Sequence, residues 1–381
     1  MQVDYFIIAP SPYNSDGLKY RRHRLVEKLV KHSLTGTVYW ICPYKTGSLN
    51  RRISQSKISK KMVEVRISEF KALFSSRRGF KNSLLKSLIA DSSEKNKKVL
   101  WYSTPSYSGL TKYKIWDKII YDCSDFWGSP WERGGSLLHL KSGIIDKVIR
   151  SSETKIIEES ELIFASSAFL AKRISDIKEA TVIENGVEFE QFSSSTDKKL
   201  CEIPSPKIGF IGGIKNKIDY NLLYRLSTSY PDYSIVLIGP NSTSGSSAKE
   251  LESLKKLRNV YKIDGIDYSE VPSYMKSLDV GILPYKKIDY NQAVSPLKLF
   301  EYLATGIPVV GYGLPTTKKY SADGIYIHAE TTKEFVEACE YSIAISNEER
   351  YIKNRKSVAE KHDWDNKLSQ MINNTLLDIK N

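Results

Sequence analysis

A chain of 381 residues exceeds the roughly 250–300 residues at which one hydrophobic core usually stops growing, so two domains are expected. Hydrophobic residues make up 41% and charged residues 27% of the chain, which excludes a disordered protein, and the absence of an apolar run long enough to span a bilayer or of a basic-then-apolar leader leads us to expect a cytoplasmic one. The net charge of +13 is unevenly placed, because residues 45–98 hold 15 basic and 4 acidic side chains and so account for the whole excess of the first half.

In chain order, short β-branched runs alternate with helical spacing, the pattern of parallel sheets covered by helices. Strands are expected at 3–9, 37–42, 62–67, 98–102, 118–121, 162–165 and 181–183, and then at 207–211, 234–238, 260–263, 280–283, 309–311 and 325–327. The fold class is therefore α/β with two Rossmann-like domains. Between the two sets lies QFSSSTDKKLCEIPSP, residues 191–206, which has no periodicity and reads as a linker. The domains are placed at 1–195 and 206–346, with a helical tail over 347–381 in which Asp363 and Asp365 suit a helix start before Leu368, Met371, Ile372, Leu376 and Leu377.

Open α/β sheets bind ligands beyond the carboxyl ends of their strands. One such end is IGFIGGIKNK, residues 208–217, where Gly212 and Gly213 permit close backbone approach and Lys215 and Lys217 precede a helix, a combination suited to a diphosphate. It is not a GxGxxG fingerprint, which disfavours a dinucleotide. A second is SPLKLFEYLATGIP, residues 295–308: Leu297, Phe300, Leu303 and Ala304 form a buried stripe, Pro296 suits the first turn, and Gly306 suits the end. Amides near Ser295 and the Lys298 ammonium could hold a diphosphate, and the Glu301 carboxylate could accept both hydroxyls of a ribose. The same two side chains, three apart, could instead be an ordinary surface ion pair.

The segments NGVEFEQF (185–192) and SPLKLFEYLATGIPVV (295–310), with the spacing between them, resemble bacterial GT-B glycosyltransferases, and the resemblance covers nearly the whole chain. It implies two Rossmann-like domains with a cleft between them, the first taking the acceptor and the second the nucleotide sugar, with the C-terminal helix crossing back to the first domain. DGIDYSEVPSYMKSLDVGILPY (264–285) is similar to the family's segment bordering the nucleotide base. By this resemblance the backbone at Ile266 would meet the base, Glu301 the ribose, and Lys298, with Ser295, the phosphates. The donor would be a nucleotide diphosphate sugar, a UDP-sugar in the favoured form, with no further cofactor.

YDCSDFW (121–127) resembles the matching stretch of glycosyltransferases of the xanthan glucuronosyltransferase type and of teichuronic acid and capsule synthesis. In that group an Asp is the general base, and Asp125 fits its position; Asp122 is the rival, and a turn-forming role is the third reading. Arg21, Arg22 and His23 resemble the family's arginine-containing segment and could meet the acceptor, or they could form a solvated helix face. The large retaining GT-B family has a Glu eight positions before the one matched by Glu301, and this chain has Ala293 there, so an inverting transfer is expected.

No metal is expected. Asp363-Trp364-Asp365 spells DxD but begins a helix, where Asp is a common cap, and the histidines and the four cysteines show no metal-ligand spacing. The basic 45–98 segment, with apolar residues interspersed, could dock on an anionic membrane near a lipid-linked saccharide acceptor, or be a solvated face. Nucleic acid is not expected as a partner. A sugar-nucleotide epimerase on the same fold, or a noncatalytic membrane- or polyanion-binding protein with a residual nucleotide pocket, would also fit these residues.

Overall fold

The computed structural model describes residues 2–15, 18–44, 53–68, 89, 92–127, 139–196, 200–377 and 379. The chain forms two compact units: residues 1–130, 137–184 and 368–381 make unit 1, and residues 131–136 and 185–367 make unit 2.

Unit 1 is built on strands β1 (Val3–Ile8), β2 (Thr35–Tyr44), β3 (Ile53–Ser59), β4 (Met62–Ser68), β5 (Lys97–Tyr102), β6 (Lys118–Cys123), β7 (Leu162–Ala165) and β8 (Thr181–Val182), in the order β3-β4-β2-β1-β5-β6-β7-β8. All pairs are parallel except β3 with β4. Every residue of β1 and of β6 is buried, as expected of central strands covered on both faces. The antiparallel β3 was not expected. Its sequence, ISQSKIS, lies almost wholly exposed, so it carries no buried stripe for a sequence pattern to reveal, and polar, lysine-bearing edges of this kind resist further pairing.

Unit 2 holds β9 (Lys207–Ile211), β10 (Ser234–Ile238), β11 (Val260–Ile263), β12 (Val280–Pro284), β13 (Val309–Tyr312) and β14 (Tyr326–Ala329), all parallel, in the order β11-β10-β9-β12-β13-β14. This is the doubly wound 3-2-1-4-5-6 arrangement, whose direction reverses between its first and fourth strands. The reversal falls between β9 and β12. Leaving aside β3, the strands β4-β2-β1-β5-β6-β7 of unit 1 repeat the scheme, with the reversal between β1 and β5 and β8 added at the edge.

The expected linker at 191–206 lies inside unit 2, and the division falls at Glu184/Asn185 instead. The reason is local. Val187 bridges to Asp363, Val187 and Phe192 are fully buried in the unit 2 core, and Gly186 sits where an added Cβ would meet the His362 carbonyl at 2.3 Å. The tail forms helices Glu349–Glu360 and Trp364–Leu377. Its last part, from Leu368, is counted with unit 1, where Lys118 Nζ donates to the Thr375 carbonyl at 3.1 Å and Arg21 Nη2 approaches Met371 Sδ at 3.3 Å. Most of the basic 45–98 segment, including 45–52 and 69–88, lies outside the described residues.

Candidate functional site

The carboxyl ends of β9 and β12 gather most of the residues singled out for donor binding. β9 ends at Ile211, and the Gly212 amide donates to the Ile238 carbonyl at 2.8 Å. At the end of β10, Gly239 has φ +142, and a Cβ there would lie 2.0 Å from the Gly212 carbonyl oxygen. Only a glycine lets the two strand ends approach this closely. Gly239 escaped the sequence reading, although a glycine followed by Pro240 after a strand is a legible turn signal.

Helix Leu297–Thr305 follows β12 and runs back behind this point. Phe300, Leu303 and Ala304 are buried as expected, but Leu297, in the first turn, is only half-buried and Leu299 is buried instead; Pro296 occupies the N-cap, and Gly306 ends the helix at φ +87. Tyr302, also missed by sequence, locks the helix to the sheet: its hydroxyl accepts from the Ile211 amide at 2.8 Å and donates to the Gly209 carbonyl at 3.2 Å. Its ring lies where a Cβ on Gly281 would be, 2.5 Å away. At the helix start, Asn185 Nδ2 donates to the Ser295 carbonyl at 2.7 Å and the Asn185 amide to Ser295 Oγ at 3.3 Å. The NGV segment therefore holds the loop that launches the helix, and the N-terminal end of a helix favours an anion.

Lys298 lies across the glycine turn, since a Cβ on Gly212 would be 3.2 Å from Lys298 Cε. Its Nζ pairs with Glu301 Oε2 at 2.7 Å, with 21% of the Lys298 side chain but only 1% of the Glu301 side chain exposed. This is not a surface pair. The carboxylate is sealed while the Lys298 side chain stays partly exposed. Glu301 also reaches Tyr285, whose phenol is pushed above its ordinary range by burial and then by the Glu301 charge. Lys215 is exposed, Lys217 lies over the rings of Tyr285 and Tyr290 at 5.6 and 5.4 Å, and Ile266 is half-buried against the core in the loop after β11.

In unit 1 the candidates separate. Arg21 is the first residue of helix Arg21–Lys31 and is buried, 4% exposed; Nε donates to Asp122 Oδ2 at 2.9 Å and Nη1 to the Ile183 carbonyl at 2.5 Å. Its guanidinium is thus engaged inside the unit rather than presented to an acceptor. Asp122, 1% exposed, has its carboxyl raised above the ordinary range by burial, which Arg21 opposes. His23 is buried as well, with Nδ1 accepting from the Tyr20 amide at 3.1 Å and Nε2 within 3.0 Å of the Tyr13 carbonyl. That pattern assigns the Nε2–H tautomer and leaves the ring as a helix-capping group packed beside Tyr13 and Trp40. Arg22 stacks on the Tyr20 ring at 4.3 Å.

Asp125 stands two residues beyond β6 and is half-buried. Behind it, Glu153 and Arg173 form a pair that sequence reading did not find, because its members come from two helices and neither has a local spacing signal. The Tyr121 hydroxyl donates to Glu153 Oε1 at 2.7 Å, and burial pushes the neighbouring Cys123 thiol up to about 12. Asp363 caps the last helix through Asp365 N at 2.6 Å and also takes Phe189 N at 3.1 Å, the role anticipated for the DxD spelling.

A family model described as Glycosyl transferases group 1 matches residues 205–344. Over 383 aligned residues the chain is 34% identical to a Bacillus subtilis (strain 168) protein, TuaH, assigned as a teichuronic acid biosynthesis glycosyltransferase, covering 95% of this chain and 94% of that one. Solved structures share the fold: sucrose-phosphate synthase from Thermosynechococcus elongatus at TM-score 0.75 and 13% identity, covering 99% of this chain and 100% of that one. The trehalose-6-phosphate structure from E. coli bound with UDP-2-fluoro glucose matches at TM-score 0.69 and 12% identity, over 97% and 98% of the two chains.

Proposed function

The chain belongs to the group 1 glycosyltransferases, and from that premise we propose that it transfers a sugar from a UDP-sugar to a saccharide acceptor in cell-surface polysaccharide synthesis, with inversion at the anomeric carbon. The observation that carries the donor half is the Lys298 side chain laid across Gly212 at the strand-order reversal of unit 2, where it stays partly exposed. As the bond from the anomeric carbon to the diphosphate breaks, negative charge grows on the departing oxygen. Lys298 and the amides at the start of helix Leu297–Thr305 supply the opposing charge. Glu301 holds Lys298 in place, and we read it as the ribose contact by the family resemblance; with its side chain 1% exposed, donor binding has to uncover the carboxylate first. The relative's assignment to teichuronic acid biosynthesis and the UDP-sugar held by the E. coli structure support the choice of pathway class and nucleotide.

For the acceptor half we read Asp125 as the general base. It takes the proton of the acceptor hydroxyl while that oxygen attacks the anomeric carbon from the face opposite the leaving diphosphate. Asp122 is less suited, because its carboxylate is sealed at 1% exposure against Arg21. Ala293, where retaining relatives carry Glu, supports inversion. The charge of 45–98 supports peripheral contact with an anionic membrane carrying the acceptor, which flotation with anionic vesicles at low salt checks.

A thermal-shift screen of nucleotide sugars tests the donor reading, since a ligand at about 100 times its dissociation constant adds about 2.7 kcal/mol of stability. UDP-sugars should stabilise the protein and Lys298→Ala should lose most of that shift. Stabilisation by GDP- or ADP-sugars alone would overturn the choice of base. The anomeric configuration of the first-formed product decides between inversion and retention.

A further inference from the structure

We propose that Arg173 is a positioning residue for the Asp125 loop, acting through the ring of Phe126. The inference rests on Asp125 being the general base. Asp125 has no strand or helix of its own, since β6 stops at Cys123, and a base on a loop needs its neighbours held to reach a hydroxyl reproducibly.

The chain is pinned on both sides of Asp125. Before it, the Ser166 amide donates to the Cys123 carbonyl at 3.0 Å and Ser166 Oγ to the Ser124 carbonyl at 3.1 Å. After it, the Phe126 ring lies 5.2 Å from Arg173 Cζ and 6.0 Å from the Phe169 ring. Arg173 is itself immobilised by a two-pronged contact with Glu153, through Nη1 to Oε2 at 3.0 Å and Nη2 to Oε1, while Nη2 lies 3.7 Å from Cys123 Sγ. The Glu153 side chain is 2% exposed and its Oε1 also accepts the Tyr121 hydroxyl. Strand β6 and helices His139–Glu159 and Ala168–Ile174 thus meet on one guanidinium.

Stability alone does not explain this arrangement, because a buried ion pair is often no more stable than apolar side chains of the same volume. What the planar guanidinium provides is a flat, charged platform of fixed orientation for an aromatic ring, which an ammonium or an aliphatic chain does not.

The test uses Arg173→Lys, Phe126→Leu, Asp125→Asn and the double variant Asp125→Asn/Phe126→Leu, with kcat, donor KM and a thermal melt for each. Misplacing a base by about 1 Å costs on the order of 100-fold, so Arg173→Lys should lower kcat by about 10- to 100-fold with donor KM unchanged. Phe126→Leu, which leaves the Glu153 pair intact, should lower kcat by about 5- to 10-fold. Because Phe126 acts only through Asp125, adding Phe126→Leu to Asp125→Asn should cost nothing further, whereas a purely structural role would add its full loss. Full turnover in Asp125→Asn overturns the base assignment, and the positioning role with it. If Asp125→Asn is inactive while Phe126→Leu keeps kcat within about twofold, the positioning role alone is overturned. Should Arg173→Lys fail to fold, Phe126→Leu and the double variant decide the matter.

Discussion

Two buried ion pairs, one in each unit, show how the same chemistry serves different ends. Arg21 and Asp122 are 4% and 1% exposed, and the remaining Arg21 nitrogens are taken by the Ile183 carbonyl and Met371. Lys298 and Glu301 form a local pair whose cation is 21% exposed and lies over a glycine turn. A sealed cation cannot exchange its carboxylate for a phosphate, whereas one with an open side can. The first pair ties together the end of β6, Ile183 and the C-terminal helix, while the second has the open side that the proposed donor role needs.

The comparison breaks most visibly at Asp125, the carboxylate that belongs to neither pair. Asp125→Asn should lower kcat by about 100- to 10,000-fold, the range for losing a general base, with donor binding retained; steady-state kinetics with titration of the donor checks this. Next in size is Arg21→Met, which strands Asp122 as a buried charge. It should cost about 3–5 kcal/mol of unfolding free energy, read by chemical denaturation, with donor affinity of the surviving folded protein unchanged. An equal loss of donor affinity would mean that Arg21 serves the ligand after all.

Lys298→Ala should add a binding loss that Arg21→Met lacks. Removing a charged hydrogen-bond donor costs about 1.5–3 kcal/mol, which would appear as a donor dissociation constant raised by roughly 10- to 150-fold, and because the 1%-exposed Glu301 carboxylate loses its cation the thermal melt of the free protein should fall as well. The smallest effect concerns His328, beside Thr317 and Tyr326 in unit 2, whose basicity is lowered by burial and by Lys318 and Lys287 against the opposing Glu330. A histidine whose folded pKa lies below its unfolded one stabilises the protein above the ordinary imidazole range and loses that contribution as pH falls. Stability should therefore decline between about pH 7 and pH 5.5, and His328→Gln should flatten that slope in denaturant titrations at each pH.

Much of the architecture was legible because its signals are local. The strands 162–165, 207–211, 234–238 and 260–263 are bounded as expected, since a short β-branched run between turn residues has few alternatives. Lys298 and Glu301 could be picked out because a spacing of three places them on one helix face. The same spacing cannot tell a surface pair from a half-sealed one, and that distinction depends on Tyr285 and Tyr302 lying near Glu301 and on the glycine turn beside Lys298.

Other features had no local signal. Arg21, Arg22 and His23 read as a basic helix start open to an acceptor, yet the partners that engage Arg21 come from positions 122, 183 and 371 and those of His23 from Tyr13, Tyr20 and Trp40. The Glu153–Arg173–Phe126 group likewise assembles only when two helices pack behind β6.

Local composition and period determined the two parallel sheets, their helices and the residues eligible for donor binding, because hydrophobic periodicity and turn chemistry act over a few neighbours. Which cation faces a ligand and which is sealed, where the chain divides into units, and what holds Asp125 in place were decided by tertiary structure. Burial depends on side chains brought together from distant positions, and no short window of sequence contains both Arg21 and Asp122 or both Glu153 and Arg173.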